Sequence, residues 1–165
     1  DWRRKRKRNY DHLNKIMRAL IQRVQKAKVT VDNNTVGSIS HGVLVFLGIT
    51  HSDSKNDVDW LVEKILKLRI FTYKEGKLNE SIKDINGEIL VVSQFTLYGN
   101  AKKGTRPSFT NAAKGDIARP LYEYMVERLK KADVKVETGV FGAYMQVSLV
   151  NDGPVTLLLE KETQE

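Results

Sequence analysis

A chain of 165 residues with 28 Lys and Arg against 20 Asp and Glu, a 41% hydrophobic fraction and no cysteine suits one domain with a core of its own and excludes wholesale disorder. The absence of cysteine also excludes a disulfide scaffold, a thiol nucleophile, a zinc finger and an iron–sulfur centre, and it fits a reducing compartment. No apolar run approaches the roughly 20 residues of a helical membrane span. The opening residues are charged, without the apolar stretch of a secretory signal. A cytoplasmic protein with no membrane partner is the expectation.

The charge is unevenly placed. Residues 1–16 hold seven basic residues against two acids, a net +5, while the rest of the chain carries +3. Six consecutive cations, Arg3 to Arg8, repel one another and bury nothing, so this segment is expected to be disordered. It reads either as a nucleic-acid or membrane arm or as a leader or added tail before the folded unit, which opens at Met17. The domain is therefore expected over 17–165.

From Met17 the elements follow in order. Residues 18–25 and 28–32 alternate in the manner of strands, followed by 35–40 and by the apolar run 43–49. This reads as a β-meander, which favours antiparallel pairing. Ser52, Ser54 and Asn56 are N-cap candidates for a helix carrying Val58, Leu61, Val62, Ile65 and Leu66 at helical spacing. Phe71 and Tyr73 lie in an extended stretch that ends at Glu75-Gly76-Lys77. Asn86-Gly87 turns into the strand 88–99, whose end carries polar side chains. Residues 99–116 are loop-like, and a second helix is predicted over about 117–132. Strands 134–138, 144–150 and 155–161 complete the chain, the last two punctuated by Asn151-Asp152-Gly153-Pro154. With strands bracketing two amphipathic helices and no regular βαβ alternation, the fold class is α+β, a mainly antiparallel sheet or barrel-like β-structure in one domain.

Much familiar chemistry is missing. His41 and His51 fall at apparent turns and His12 in the basic segment. No metal-ligand spacing, no Ser/His/Asp set, no P-loop and no GxGxxG stands in the sequence. No metal and no cofactor is expected.

Two segments stand out. In Ser93-Gln94-Phe95-Thr96-Leu97-Tyr98-Gly99, three hydrogen-bonding side chains follow an apolar strand, a costly placement if buried. They mark either a site at the strand's mouth, with main-chain N–H groups able to hold an oxyanion, or simply a strand end that becomes exposed. Asn151-Asp152-Gly153-Pro154-Val155-Thr156 reads first as a hairpin turn. The alternative is a ligand read by main chain, since Gly lets backbone approach closely and X–Pro bonds, cis in only about 5–6% of cases, can then aim two carbonyls one way.

Together these segments resemble the SQxTLxG and NxGPxT motifs of the D-aminoacyl-tRNA deacylase (D-tyrosyl-tRNA deacylase) family. Met17 to Val24 is similar to that family's N-terminus, Lys103 to Phe109 to its GxRPSF loop, and Gly139 to Met145 to its GxFxAxM stretch. The resemblance covers 17–165 with no motif position broken, and residues 1–16 depart from it. It implies a homodimer with sites at the subunit interface and a cis Gly153-Pro154 dipeptide inserted into the partner's pocket. It implies hydrolysis of the ester joining a D-amino acid, or glycine, to the 3′-terminal adenosine of tRNA. Carbonyl oxygens of Gly153 and Pro154, set where only hydrogen fits, would reject L side chains by collision and could not refuse glycine.

The resemblance also implies roles. Main-chain N–H groups near Phe95 and Thr96 would hold the oxyanion, and Gln94 and Ser93 would orient the ester. Asn151 and Thr156 belong to the selector segment and Arg23 would brace it; the alternative for Arg23 is a surface arginine. Met145 would line the pocket or simply fill the core. Lys102, Lys103 and Arg106 would meet tRNA phosphates, with Lys64, Lys67 and Arg69 along one helix end as further cations. Catalysis would be assisted by the substrate's own vicinal hydroxyl; the rival mechanism makes Thr96 a nucleophile, although no base is evident beside it. Two other classes stay open from residues alone: a noncatalytic RNA-binding module and a hydrolase of small esters or amides.

Overall fold

Alternation suggests two strands between Arg18 and Val31, yet these residues form one, β1 (Arg18–Val31). The computed structural model describes residues 17–161, so the basic segment 1–16 lies outside the described residues. The alternation breaks at Arg23 and Val24, which are adjacent and both buried. Against β8 (Gln146–Glu160) the register shifts between Gln22 and Val24 and again between Val24 and Lys26. Bulges of this kind absorb a slip of phase without ending the strand.

Along its other edge β1 has two successive antiparallel partners. Its first half pairs with β3 (Gly42–Gly48) and its second half with β2 (Asn34–Ile39). The sheet then departs from the expected antiparallel pattern and is mixed. β6 (Glu88–Ser93) runs parallel to β3, and β7 (Lys135–Thr138) runs parallel to β6. The cause is the helices, each of which serves as a crossover. α1 (Lys55–Lys67) lies between β3 and β6, and α2 (Gly115–Lys130) between β6 and β7. A strand that returns through a helix enters parallel to its predecessor. A small hairpin, β4 (Phe71–Lys74) with β5 (Lys77–Glu80), sits within the first crossover.

The path β2-β1-β3-β6-β7 curls until β2 meets β7. At Gly37 a Cβ would stand 2.3 Å from the Thr138 carbonyl oxygen, so this near-closure needs glycine there. The curl gives the sheet two buried faces. Val43, Val45, Leu47, Ile89 and Val91 pack against the helices, while Leu44, Leu90 and Val92 meet Val24, Ala27, Val29 and Ile39 on the other side. Burial on both faces explains why β3 and β6 read as unbroken apolar runs.

Both helices are where periodicity puts them. α1 is capped at Ser54, whose N–H and hydroxyl donate to the Asp57 carboxylate at 2.8 and 3.2 Å. Ala118, Leu121, Met125 and Leu129 form the buried stripe of α2. The final segment differs more. Residues 151–154 form no hairpin turn; they lie inside the continuous strand β8 and meet β1 at its bulge.

The loop leading into α1 carries a titratable group outside its ordinary range. Burial, with the Asp57 charge adding to it, pushes the Asp53 carboxyl up to about 7, against the Thr50 N–H bond and the Lys161 charge. Asp53 Oδ2 accepts that bond at 2.7 Å, Lys161 pairs with Asp57 at 2.9 Å, and Oδ1 is buried without a partner. A carboxyl raised on folding holds its proton longer in the native state, so its ionisation destabilises the fold as pH rises from about 4 to about 7. Asp53→Asn is expected to gain stability relative to the parent between pH 5 and pH 8, by a few degrees in melting temperature; thermal unfolding of both across that range measures it.

Candidate active site

β6 ends at Ser93, beside Leu47 of its parallel neighbour β3. Gln94 N–H donates to the Leu47 carbonyl at 2.8 Å, and the chain then winds into a 3₁₀ turn, Phe95–Tyr98. Leu97 and Gly99 N–H groups close it onto the Gln94 and Thr96 carbonyls at 3.2 and 2.9 Å. The N–H groups of Phe95 and Thr96, first in the turn, are the orphan donors that any helical start leaves. The turn is anchored from its far end: Arg18 Nη1 donates to the Leu97 carbonyl at 2.8 Å, and the buried Tyr98 hydroxyl donates to Gly48 at 3.3 Å. Desolvation raises the Tyr98 phenol well above its ordinary value, so it stays a neutral donor.

A cavity of about 560 Å³ opens over this turn. Ser93, Gln94, Phe95 and Thr96 line one side, Phe141 to Met145 another, and Leu47, Ile49 and Val92 reach it from the sheet. It lies at the carboxyl ends of parallel strands, where open sheets with helical crossovers commonly bind ligands. Gln94 Nε2 donates to Thr96 Oγ1. Phe95 is half exposed and meets Phe109 edge-on at 5.1 Å between centroids, which ties the 99–110 loop to the cavity's rim. Met145 lines the cavity and packs against the inner core.

The lining contains no Asp, Glu, His, Lys or Arg. His51 faces the Thr110 carbonyl and His41 sits against Phe71, neither of them in the cavity. No cluster of metal-ligating side chains occurs among the described residues. The site thus offers neutral donors, and Thr96 has an amide beside it rather than a base.

The other expected residues gather elsewhere. Arg23 is only 6% exposed, a buried side chain and not a surface one. Its Nη1 donates to the Ile70 carbonyl at 2.6 Å and its Nε to the Asp152 carbonyl at 3.2 Å, with Asp152 Oδ2 also at 3.2 Å. Asn151 Nδ2 donates to the Arg23 and Val155 carbonyls at 3.0 and 3.1 Å, and Thr156 Oγ1 donates to Asn151 Oδ1 at 3.2 Å. Gly153 and Pro154 stand exposed above this network, their peptide bond cis, with Gly153 at φ +118°. A side chain at Gly153 would be strained by that φ and would meet Arg23 Nη2 at 2.9 Å. None of these five residues lines the cavity of its own chain.

Of the expected cations, Lys102, Lys103 and Arg106 are exposed on the loop that the Asn100–Ser108 bridge closes, outside the cavity lining. Lys67 pairs with Glu63 at 3.1 Å and Arg69 bonds to Asn79, so both have local partners. Sequence reasoning missed Asp152, Phe109 and Tyr144 as parts of these clusters. All three lie within stretches quoted for the resemblance, but Asp152 and Tyr144 stand at their variable positions, and Tyr144, between half-buried Ala143 and Met145, carried no signal of its own.

The family described as D-Tyr-tRNA(Tyr) deacylase matches residues 20–160. A D-aminoacyl-tRNA deacylase of Thermosipho africanus is 59% identical over 146 residues, 88% of this chain and 98% of the relative. One of Clostridioides difficile is 56% identical over 144 residues, 87% of this chain and 97% of the relative. Among solved structures, the c-Myc DNA unwinding element binding protein superposes with a TM-score of 0.81 at 41% identity, covering 88% of this chain and 99% of that one. A probable eukaryotic D-amino acid tRNA deacylase superposes at 0.75 with 20% identity, over 88% of this chain and 100% of that one, a likeness of fold alone. On the family match and these identities over nearly the full length of the relatives, the chain belongs to the D-Tyr-tRNA(Tyr) deacylase family.

Proposed function

We propose that this chain hydrolyses the ester of D-aminoacyl-tRNA, and of tRNA wrongly carrying glycine, releasing free tRNA and the amino acid. The observation that carries the reading is a cavity lined by Phe95 and Thr96, the residues that open the 3₁₀ turn, and by no side-chain base. Such a site can stabilise an oxyanion but cannot activate a nucleophile unaided. An aminoacyl ester supplies what is missing, because the terminal ribose carries a vicinal hydroxyl next to the scissile bond. In the proposed mechanism that hydroxyl positions the attacking water and relays a proton, accepting one from the water as it gives its own to the departing ribose oxygen. The Phe95 and Thr96 N–H groups hold the oxyanion as the carbonyl becomes tetrahedral. Ser93 and Gln94 orient the ester, and Thr96 positions through its bond with Gln94 rather than attacking.

Selection by hand is assigned to Gly153 and Pro154, and it requires a second copy of the chain. The segment is exposed, braced from below by Arg23 and absent from its own cavity. β8 has only β1 as a partner among the described strands, and Val150, Leu157 and Leu158 are exposed along it. An unpaired apolar edge fifteen residues long invites another chain. A homodimer that buries this edge and lends the Gly153–Pro154 carbonyls to the partner's cavity accounts for both features. Lys102, Lys103 and Arg106 are assigned to tRNA phosphates.

The direct test is hydrolysis of one tRNA charged with each enantiomer of the same amino acid. The D form is expected to be cleaved faster by on the order of a hundredfold or more, with glycine also cleaved. Equal rates would overturn the chiral assignment, and RNA binding without cleavage would favour a noncatalytic module. For the mechanism, Thr96→Ala is expected to slow turnover by only about tenfold. A 2′-deoxy terminal ribose is expected to slow it by a hundredfold or more, the range of a lost acid–base group. Abolished turnover in a folded Thr96→Ala protein would make Thr96 the nucleophile. For the selector, Arg23→Ala is expected to lower stability by roughly 2 kcal/mol, as loss of charged hydrogen bonds does. It should also shrink the D-over-L rate ratio about tenfold. A ratio that survives the substitution would remove Arg23 from selection.

A further inference from the structure

The cavity accommodates a nucleoside and its acyl group, within the usual range for small-ligand sites. Any polynucleotide attached to that nucleoside must leave over the rim. On that rim stands Tyr144, 86% exposed, the most exposed large hydrophobic side chain among the described residues. Its backbone is held: Ala143 N–H donates to the Val140 carbonyl at 3.2 Å, and Gln146 and Val147 already pair with Thr30 and Val29 of β1. Among the described residues none hydrogen-bonds to its hydroxyl and no aromatic ring or cation contacts its ring. Cations flank the same rim. Lys114 precedes the cavity-lining Gly115 and is exposed, and the Arg119 guanidinium lies 5.6 Å from the Phe141 ring, which also lines the cavity. A fixed backbone bearing a bare aromatic face, beside cations and at the exit of a nucleoside-sized cavity, is the arrangement with which proteins take single-stranded RNA.

We infer that Tyr144 is a stacking platform for the base of the nucleotide preceding the terminal adenosine, an inference that rests on the reading of the substrate given above. Stacking is indifferent to the identity of the base and of the amino acid. Tyr144 would therefore add affinity for any charged RNA end without touching the choice of hand.

Three hydrolysis-resistant probes separate the contributions: the 3′-D-aminoacylamide of adenosine, the same compound with a 5′-phosphate, and the same compound extended by one 5′ cytidine nucleotide. Dissociation constants are measured for the parent, Tyr144→Ala and Tyr144→Phe. The parent is expected to bind the dinucleotide about tenfold more tightly than the 5′-phosphate probe, the scale of one base stacked on an aromatic ring. Tyr144→Ala should bring these two probes level while leaving the adenosine probe within twofold, and Tyr144→Phe should keep the gain. KM for full-length D-aminoacyl-tRNA should rise in Tyr144→Ala by a similar factor. The inference is overturned if the added nucleotide gains nothing in the parent, or if its gain survives in Tyr144→Ala. It is equally overturned if all three probes weaken together or if Tyr144→Ala changes the association state, which would assign the ring to a protein partner. Failure of the parent to bind the adenosine probe at all, or to cleave D-aminoacyl-tRNA, would instead count against the substrate reading itself.

Discussion

A guanidinium buried beneath a strand bulge holds this fold and its candidate selector together. Up to Arg23, the inward residues of β1 are Ala19 and Ile21, which join the core shared with the helices. From Val24 onward they are Val24, Ala27 and Val29, which join the core inside the curled sheet. One strand can serve both cores only by slipping its phase, and Arg23 is the residue at the slip. Its charge is tolerated because carbonyls of Ile70 and Asp152 and the Asp152 carboxylate surround it; an unpaired charge there would be too costly to bury. The same contacts fix Asp152, and with it the exposed Gly153 and Pro154.

The cavity follows a different logic. Its ingredients are the main chain, an amide, three hydroxyl-bearing side chains (Ser93, Thr96 and Tyr144) and apolar walls. A site so poor in ionisable groups suits a reaction in which the electrophile is already activated and a hydroxyl arrives with it. In the proposed mechanism rate and selectivity fall on separate parts of the molecule: oxyanion stabilisation on the 3₁₀ turn after β6, and enantiomer choice on the bulge of β8. Neither part depends on the identity of the amino-acid side chain, which suits an enzyme that acts on many D-aminoacyl esters.

How much of this could be read beforehand depended on how local the cause was. Helix periodicity in Leu61, Val62 and Ile65, and the polar run at Ser93-Gln94-Phe95-Thr96, are short-range patterns and were legible. The parallel pairing of β3 with β6 was not, because it is imposed by the crossover of α1 and not by either strand's residues. The stretch 151–154 looked like a hairpin because Asn, Asp, Gly and Pro favour turns. Side-chain bonds from Asn151 and Arg23, formed with a strand more than a hundred residues away, keep it inside β8 instead. For Arg23 only the family resemblance suggested bracing, and a surface arginine stood as the alternative, since nothing local announces that Ile70 and Asp152 will converge on it.

The separation of the two clusters within one chain bears on assembly. The proposed selector segment is exposed, braced by Arg23 and outside its own cavity, whose polar side chains are Ser93, Gln94, Thr96 and Tyr144. A monomer would then be an esterase of the oxyanion type with little sense of hand. Bringing a second copy's bulge to the mouth supplies fixed carbonyls at the one place a main-chain reader must occupy. The strand carrying that bulge is also the strand whose outer edge is unpaired and apolar. Edge burial and completion of the site would thus be one event, so that chain association and chiral discrimination would appear together.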